Sequence, residues 1–140
     1  MKQLLSLAIL FIGTTTHACP DFSGRYVVRN LPIQIQQTAC TSLDMIRSDN
    51  GSMDHYIADG IYRKITSVFD GNTRFESYTF TDVAFVIQGT LFIEADKKYQ
   101  STRSTFQKFG SNGDIRVSSK YYDDLGNVIY SSATVFTKQM

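Results

Sequence analysis

The chain has 140 residues, a length that fits one domain on the usual range of about 100–200 residues. Hydrophobic residues make up 42% and aromatics 13%, which is enough for a packed core and argues against intrinsic disorder. Fourteen basic residues balance thirteen acidic ones, so no polyanion-seeking charge is present. Two histidines, two cysteines and no tryptophan leave little material for a metal or catalytic cluster.

Residues 1–18 have the order of a secretory signal peptide. Lys2 supplies the positive start, Leu4 to Ile12 the apolar run, and Thr16-His17-Ala18 the small residues before a cleavage point after Ala18. The run is far shorter than the roughly 20 apolar residues a membrane-spanning helix needs, and no later stretch reaches that length. The expected mature domain, 19–140, loses Lys2 and is left with thirteen basic and thirteen acidic residues. It is expected to be secreted or periplasmic, with no nucleic-acid partner and no membrane span.

Cys19 and Cys40 both survive that cleavage, and in an oxidising compartment they are expected to pair. A cysteine at the cleavage point is also where a bacterial lipoprotein carries its anchor. That signal has an aliphatic residue where Thr16 stands, so the disulfide is expected instead of a lipid on Cys19.

Thr, Ser, Tyr, Phe, Ile and Val dominate the mature chain and helical periodicity is weak, which predicts an all-β domain. Phe22 to Arg29 reads as a first strand with Phe22, Gly24, Tyr26 and Val28 on one face. Ile33 to Thr38 and Thr41 to Arg47 follow as strands, and Asn50-Gly51 marks a turn. Asp54 to Ala58 and Ile61 to Val68 read as a hairpin turning on Asp59-Gly60, with Asp70-Gly71-Asn72 closing it. Thr73 to Thr81 is a further strand. Val83 to Glu94 is apolar on both faces around Gly89, which predicts burial on both sides or a bend. Lys97 to Phe109, Asp114 to Tyr122 and Val128 to Lys138 complete the series. About 8–10 strands joined by short turns predict an antiparallel up-and-down barrel, which hides its edges; a β-sandwich is the alternative.

Cys19-Pro20-Asp21-Phe22-Ser23-Gly24-Arg25-Tyr26 resembles the opening of calycin-type barrels such as the lipocalins, whose first strand begins with Gly-x-Trp. Tyr26 stands here for the tryptophan. The resemblance implies that a basic residue near the end of the last strand packs on that ring and closes the barrel floor, and Lys138 is placed to do so. It supports architecture and names no ligand.

Acid–base candidates are sparse. His55 sits beside Asp54 and near Asp59, on a solvated hairpin shoulder. Asp123, Asp124 and Asn127 read as turn chemistry, since they lack the spacing of a calcium loop. Glu94 and Asp96 read as a wet strand end. Asn50-Gly51-Ser52 is a glycosylation sequon. No Gly-x-Ser-x-Gly elbow and no zinc-ligand spacing occurs. The expectation is therefore a non-enzyme without a cofactor.

Tyr26, Tyr56, Phe75, Phe85, Tyr99, Phe106, Tyr121 and Phe136 either fill the core or line a cavity. The expected function is binding of a small apolar or amphipathic molecule, with Tyr26, Phe85, Ile87, Tyr99, Arg103 and Tyr121 as candidate ligand-binding residues. Arg103 would serve only if its face of the strand points inward. The alternative is a filled-core envelope or secreted interaction or inhibitor module.

Overall fold

The computed structural model describes residues 18–66, 73–93 and 98–140, the side chains of 73, 91–93, 98 and 99 excepted. The expected signal segment up to residue 17, the expected Asp70-Gly71-Asn72 turn and the Glu94/Asp96 pair lie outside the described residues.

The described chain is all-β. Its strands are β1 (Gly24–Val28), β2 (Leu31–Thr38), β3 (Ser42–Arg47), β4 (Met53–Ile57), β5 (Arg63–Thr66), β6 (Thr73–Phe80), β7 (Phe85–Ile93), β8 (Lys98–Phe109), β9 (Asp114–Tyr122) and β10 (Val128–Lys138). They form one antiparallel sheet in the order β4-β3-β2-β1-β10-β9-β8-β7-β6-β5. Every strand pairs with its sequence neighbour except β4 with β5, and β1 pairs in addition with β10. The hydrogen-bonded sheet is therefore continuous but not closed.

The turns explain why neighbours pair. Arg29 and Asn30 both have positive φ, 47° and 65°, the conformation of the two-residue hairpin turn whose twist matches the flanking strands. Gly51, with φ 73°, closes the β3–β4 turn, where its N–H donates to the Arg47 carbonyl at 2.8 Å.

Asp59-Gly60 does something else. It does not turn a hairpin, because β4 pairs only with β3, and β5 only with β6. The Asp59 carboxylate instead accepts from the Ile61 N–H at 3.0 Å and from the Arg63 guanidinium, while the Gly60 N–H donates to the Tyr78 carbonyl at 3.0 Å. The segment thus crosses from one edge of the sheet to the other. The β4 edge meets the other end of the sheet through side chains: Tyr56 of β4 packs edge-on against Tyr78 of β6, the strand beside the β5 edge, centroids 4.8 Å apart.

Inside the curl lies one apolar core in which Phe22, Tyr26, Ile35, Leu43, Phe85 and Ile115 are fully buried. Rings connect across it: Tyr56 to Phe85 at 6.0 Å, Phe85 to Phe106 at 5.7 Å, Phe106 to Phe136 at 5.9 Å and Phe136 to Tyr26 at 6.4 Å. All four are tilted towards edge-on, the arrangement ring quadrupoles favour. The two-sided apolar pattern of β7 is seen as burial of both Phe85 and Val86, which point to opposite faces.

The floor follows the expected arrangement. Lys138 lies directly opposite Tyr26 in the β1–β10 ladder, with Nζ 5.8 Å from the ring centroid. Gly24 leaves room for it, since a Cβ there would stand 3.2 Å from Lys138 Cε.

Cys19 and Cys40 are bonded, with Cα atoms 5.8 Å apart. Gln37 reinforces that corner: its amide donates to the Pro20 and Ala39 carbonyls at 2.9 and 2.8 Å, and its side-chain oxygen accepts from the Phe22 N–H at 2.9 Å. Replacing both cysteines by alanine is expected to lower stability by about 3 kcal/mol, the loop-closure value for a loop of this size. Urea denaturation of the variant checks it, and an unchanged midpoint would show that Gln37 alone holds the corner.

Candidate functional site

The ladder registers place inward side chains of β6 to β10 in three rows. One row is Phe80, Phe85, Phe106, Val117 and Thr134; the next is Tyr78, Ile87, Ser104, Ser119 and Ser132; the third is Glu76, Gly89, Thr102, Tyr121 and Tyr130. The inner face therefore changes from aromatic, through hydroxyl, to charged and phenolic along the strands. Exposure follows the same direction in β8 to β10, and the reverse in β6, where Phe80 is half-buried and Tyr78 and Glu76 are buried. Phe85 and Phe106 are buried, Ser104, Ser119 and Ser132 are half-buried, and Tyr130 is 60% exposed.

β8, β9 and β10 share this switch: Phe106 gives way to Ser104 and Thr102, Val117 to Ser119, and Phe136 to Thr134 and Ser132. The face of these three strands is apolar and buried at one end and hydroxyl-lined and half-buried at the other. Ser104 and Ser119 bond to each other at 2.8 Å, and Tyr121 packs against Tyr130 at 5.5 Å.

Beside the hydroxyl rows lies a charged group. Glu76 is 5% exposed, yet it projects from the inner face. It pairs with Arg74 on the same face and accepts from the Tyr78 hydroxyl at 2.8 Å. Gly89 makes the space for Thr102, its neighbour in that row. A Cβ at that position would stand 2.5 Å from Thr102 Oγ1 and 3.4 Å from Glu76 Cγ.

Across the seam, the Tyr56 hydroxyl donates to Asp54 at 3.3 Å. Burial pushes the Tyr56 phenol well above its ordinary value near 10, and the charges of Asp54 and Glu76 push the same way. Burial also raises Tyr78 far above that value, assisted by the Glu76 charge and the hydrogen bond to it. On the exposed crossover, the hydrogen bond from Arg63 lowers the Asp59 carboxyl to about 2.

The candidate ligand residues divide. Ile87 and Tyr121 border the polar part of the concave face. Tyr26 and Phe85 are sealed in the core, and the Tyr26 hydroxyl is used by the Phe22 carbonyl at 2.9 Å. Arg103 is exposed and lies on the outer face, because Phe106, Ser104 and Thr102 alternate with it inward. It is therefore not part of a site with the other residues. The Tyr99 side chain is outside the described set. Among the aromatics, Phe75 also faces outward, 52% exposed.

His55 bonds through Nδ1 to Asp44, its cross-strand neighbour, and not to Asp54 or Asp59. Asp123 accepts from the Leu125 and Asn127 N–H groups at 3.0 and 2.8 Å, which is turn chemistry as expected. No group of three acidic, histidine or cysteine side chains placed to hold a metal occurs among the described residues.

Glu76, Arg74, Thr102, Ser104, Ser119 and Ser132 were not among the candidates. Their signal is the shared apolar-to-hydroxyl switch on the face of Phe106, Val117 and Phe136. Compared with known proteins, the chain matches no family model, no curated protein and no solved structure.

Gly89→Ala is expected to cost roughly 1–3 kcal/mol through overpacking. Adding Thr102→Ala should return most of that, because Thr102 Oγ1 is the nearest obstruction. Thermal denaturation of the single and double variants measures the coupling.

The raised phenols also give a sign for alkaline pH. Tyr56 and Tyr78 stay protonated in the fold while the unfolded phenol ionises near 10, so their contribution is complete below pH 10 and is lost as pH rises past it. Phenolate absorbance at pH 11 should show two tyrosines fewer than the same sample in denaturant, beyond any deficit shared with Tyr56→Phe/Tyr78→Phe.

Proposed function

We propose that this is a non-enzymatic, exported lipocalin-like binding protein that holds a small amphipathic molecule against the concave face of β6 to β10. The observation that carries the reading is the gradient of that face, from the aromatic wall at Phe85 and Phe106 to the half-buried hydroxyls of Ser104, Ser119 and Ser132. An apolar portion of the ligand would lie on Ile87, and its polar end would be met by Thr102, Tyr121 and the hydroxyl row. Area burial supplies the affinity in such a site, and a few polar groups fix orientation. The disulfide fits an oxidising extracellular or periplasmic setting.

Titration with a fluorescent monoacylglycerol and a fluorescent fatty acid tests the proposal. Saturable binding in the micromolar range is expected. Ser104→Leu/Ser119→Leu fills the hydroxyl row and should weaken it at least tenfold while far-ultraviolet circular dichroism stays unchanged. No binding of either probe at high micromolar concentration, or equal binding by the filled variant, would overturn the reading.

A second reading rests on the β9–β10 hairpin. Leu125 is 82% exposed, and Val128, Ile129 and Tyr130 are each more than half exposed. A rigid turn that presents apolar side chains suits a protein-docking module whose core is merely structural. Under that reading the filled variant would keep all activity and Leu125→Ser/Ile129→Ser would lose it.

A further inference from the structure

The outer face of the same strands carries a different pattern. Gln88, Arg103, Lys120 and Ser131 lie in one row across β7 to β10. Arg103 and Lys120 are directly opposed and both exposed. Like charges in that position destabilise a sheet. Arg116, also exposed, lies four residues before Lys120 on β9, roughly 14 Å along the strand at the usual rise. A groove of about 310 Å³ between β9 and β10 is bordered by Arg116, Ser118, Lys120, Ser131 and Ala133.

From the Gln107–Arg116 pair to the Ser101–Tyr122 pair, this face carries no Asp or Glu among the described residues. The nearest carboxylates lie beyond both ends. Asp114 accepts from the Lys138 N–H at 2.8 Å, and Asp123 is occupied by its own turn, with Asp124 exposed beside it. None of the three cations pairs with a described carboxylate. In a domain with balanced charge, such segregation is an electrostatic footprint.

Apolar side chains share the face. Val135, 43% exposed, stands opposite Arg116, and Val128, 53% exposed, stands opposite Tyr122. A phenol and aliphatic side chains interleaved with cations match the boundary between headgroups and acyl chains. A free anion or an acidic polysaccharide would have no use for the exposed valines.

We propose that the outer face of β8 to β10 docks onto an anionic lipid bilayer, with Arg103, Arg116 and Lys120 meeting the headgroup phosphates. This surface is on the opposite side of the sheet from the concave site, and the proposal does not depend on ligand binding there.

Co-sedimentation of the full chain with vesicles tests it. Vesicles of phosphatidylcholine with one-third phosphatidylglycerol should retain the protein at low salt, while pure phosphatidylcholine should retain little. Raising ionic strength to about 0.5 M should release it, since exposed charges are screened over a few ångströms there. Each cation near such a surface contributes about fivefold in affinity, so Arg103→Gln/Arg116→Gln/Lys120→Gln should bind roughly a hundredfold more weakly. Lys120→Arg keeps the charge and should bind as the parent does. The circular dichroism spectrum of each variant establishes that it is folded.

Failure to bind anionic vesicles at low salt would overturn the proposal. Equal binding to both vesicle types would overturn its electrostatic basis, as would full binding by the folded triple variant. Retention on dextran sulfate beads without vesicle binding would make the face a polysaccharide site instead.

Discussion

The pairing of the first strand with the last is the constraint on which the rest of the structure depends. Without it the sheet would divide into two separate ribbons, β1 to β4 and β5 to β10. The short β1–β10 ladder, with Tyr26 opposite Lys138, places the chain's beginning beside its end and makes the sheet continuous through that junction. The free edges are left at β4 and β5, in mid-chain, where the Tyr56 and Tyr78 rings and the bond from the Gly60 N–H to the Tyr78 carbonyl tie β4 and the crossover to β6. The disulfide and Gln37 act on the same corner from the other side, by fixing the segment that leads into β1. A continuous curl is also what gives β6 to β10 a concave face.

The strands were legible in the sequence wherever alternation was clean and bounded by turn residues. The bounds expected for β9 and β10 agree with those observed, because Gly110 to Gly113 and Asp123 to Asn127 punctuate them sharply. The Tyr26–Lys138 contact was anticipated only through the resemblance of Gly24-Arg25-Tyr26 to the calycin opening, which implies a basic residue of the last strand on that ring. The Asp59-Gly60 step could not. Asp-Gly between two strand-like runs is a strong local hairpin signal, and here a local bond from Arg63 to the Asp59 carboxylate and a tertiary bond from the Gly60 N–H to β6 override it.

The polar part of the concave face was hidden for a related reason. Serine and threonine alternating with charged residues look like a solvent-exposed strand, and sequence alone does not say which of two polar faces points inward. In β8 the decision comes from Phe106. Once that ring is in the core, Ser104 and Thr102 are inward and Arg103 is outward by parity. One aromatic anchor per strand thus sorts every polar neighbour, but only after the register is known.

The Arg74–Glu76 pair carries the last step of the argument. A buried ion pair gains little net stability, since desolvating both charges offsets most of their attraction, and apolar residues of similar volume often serve a core as well. A chain selected only for a solid interior would have no reason to place a carboxylate at the inner row beside Thr102. Holding Glu76 with Arg74 and the Tyr78 hydroxyl fixes its orientation while leaving the neighbouring hydroxyl row half-buried. The aromatic end supplies cohesion, and the polar end gives up some of it. That division of labour is what the proposed binding of an amphipathic molecule requires of the interior.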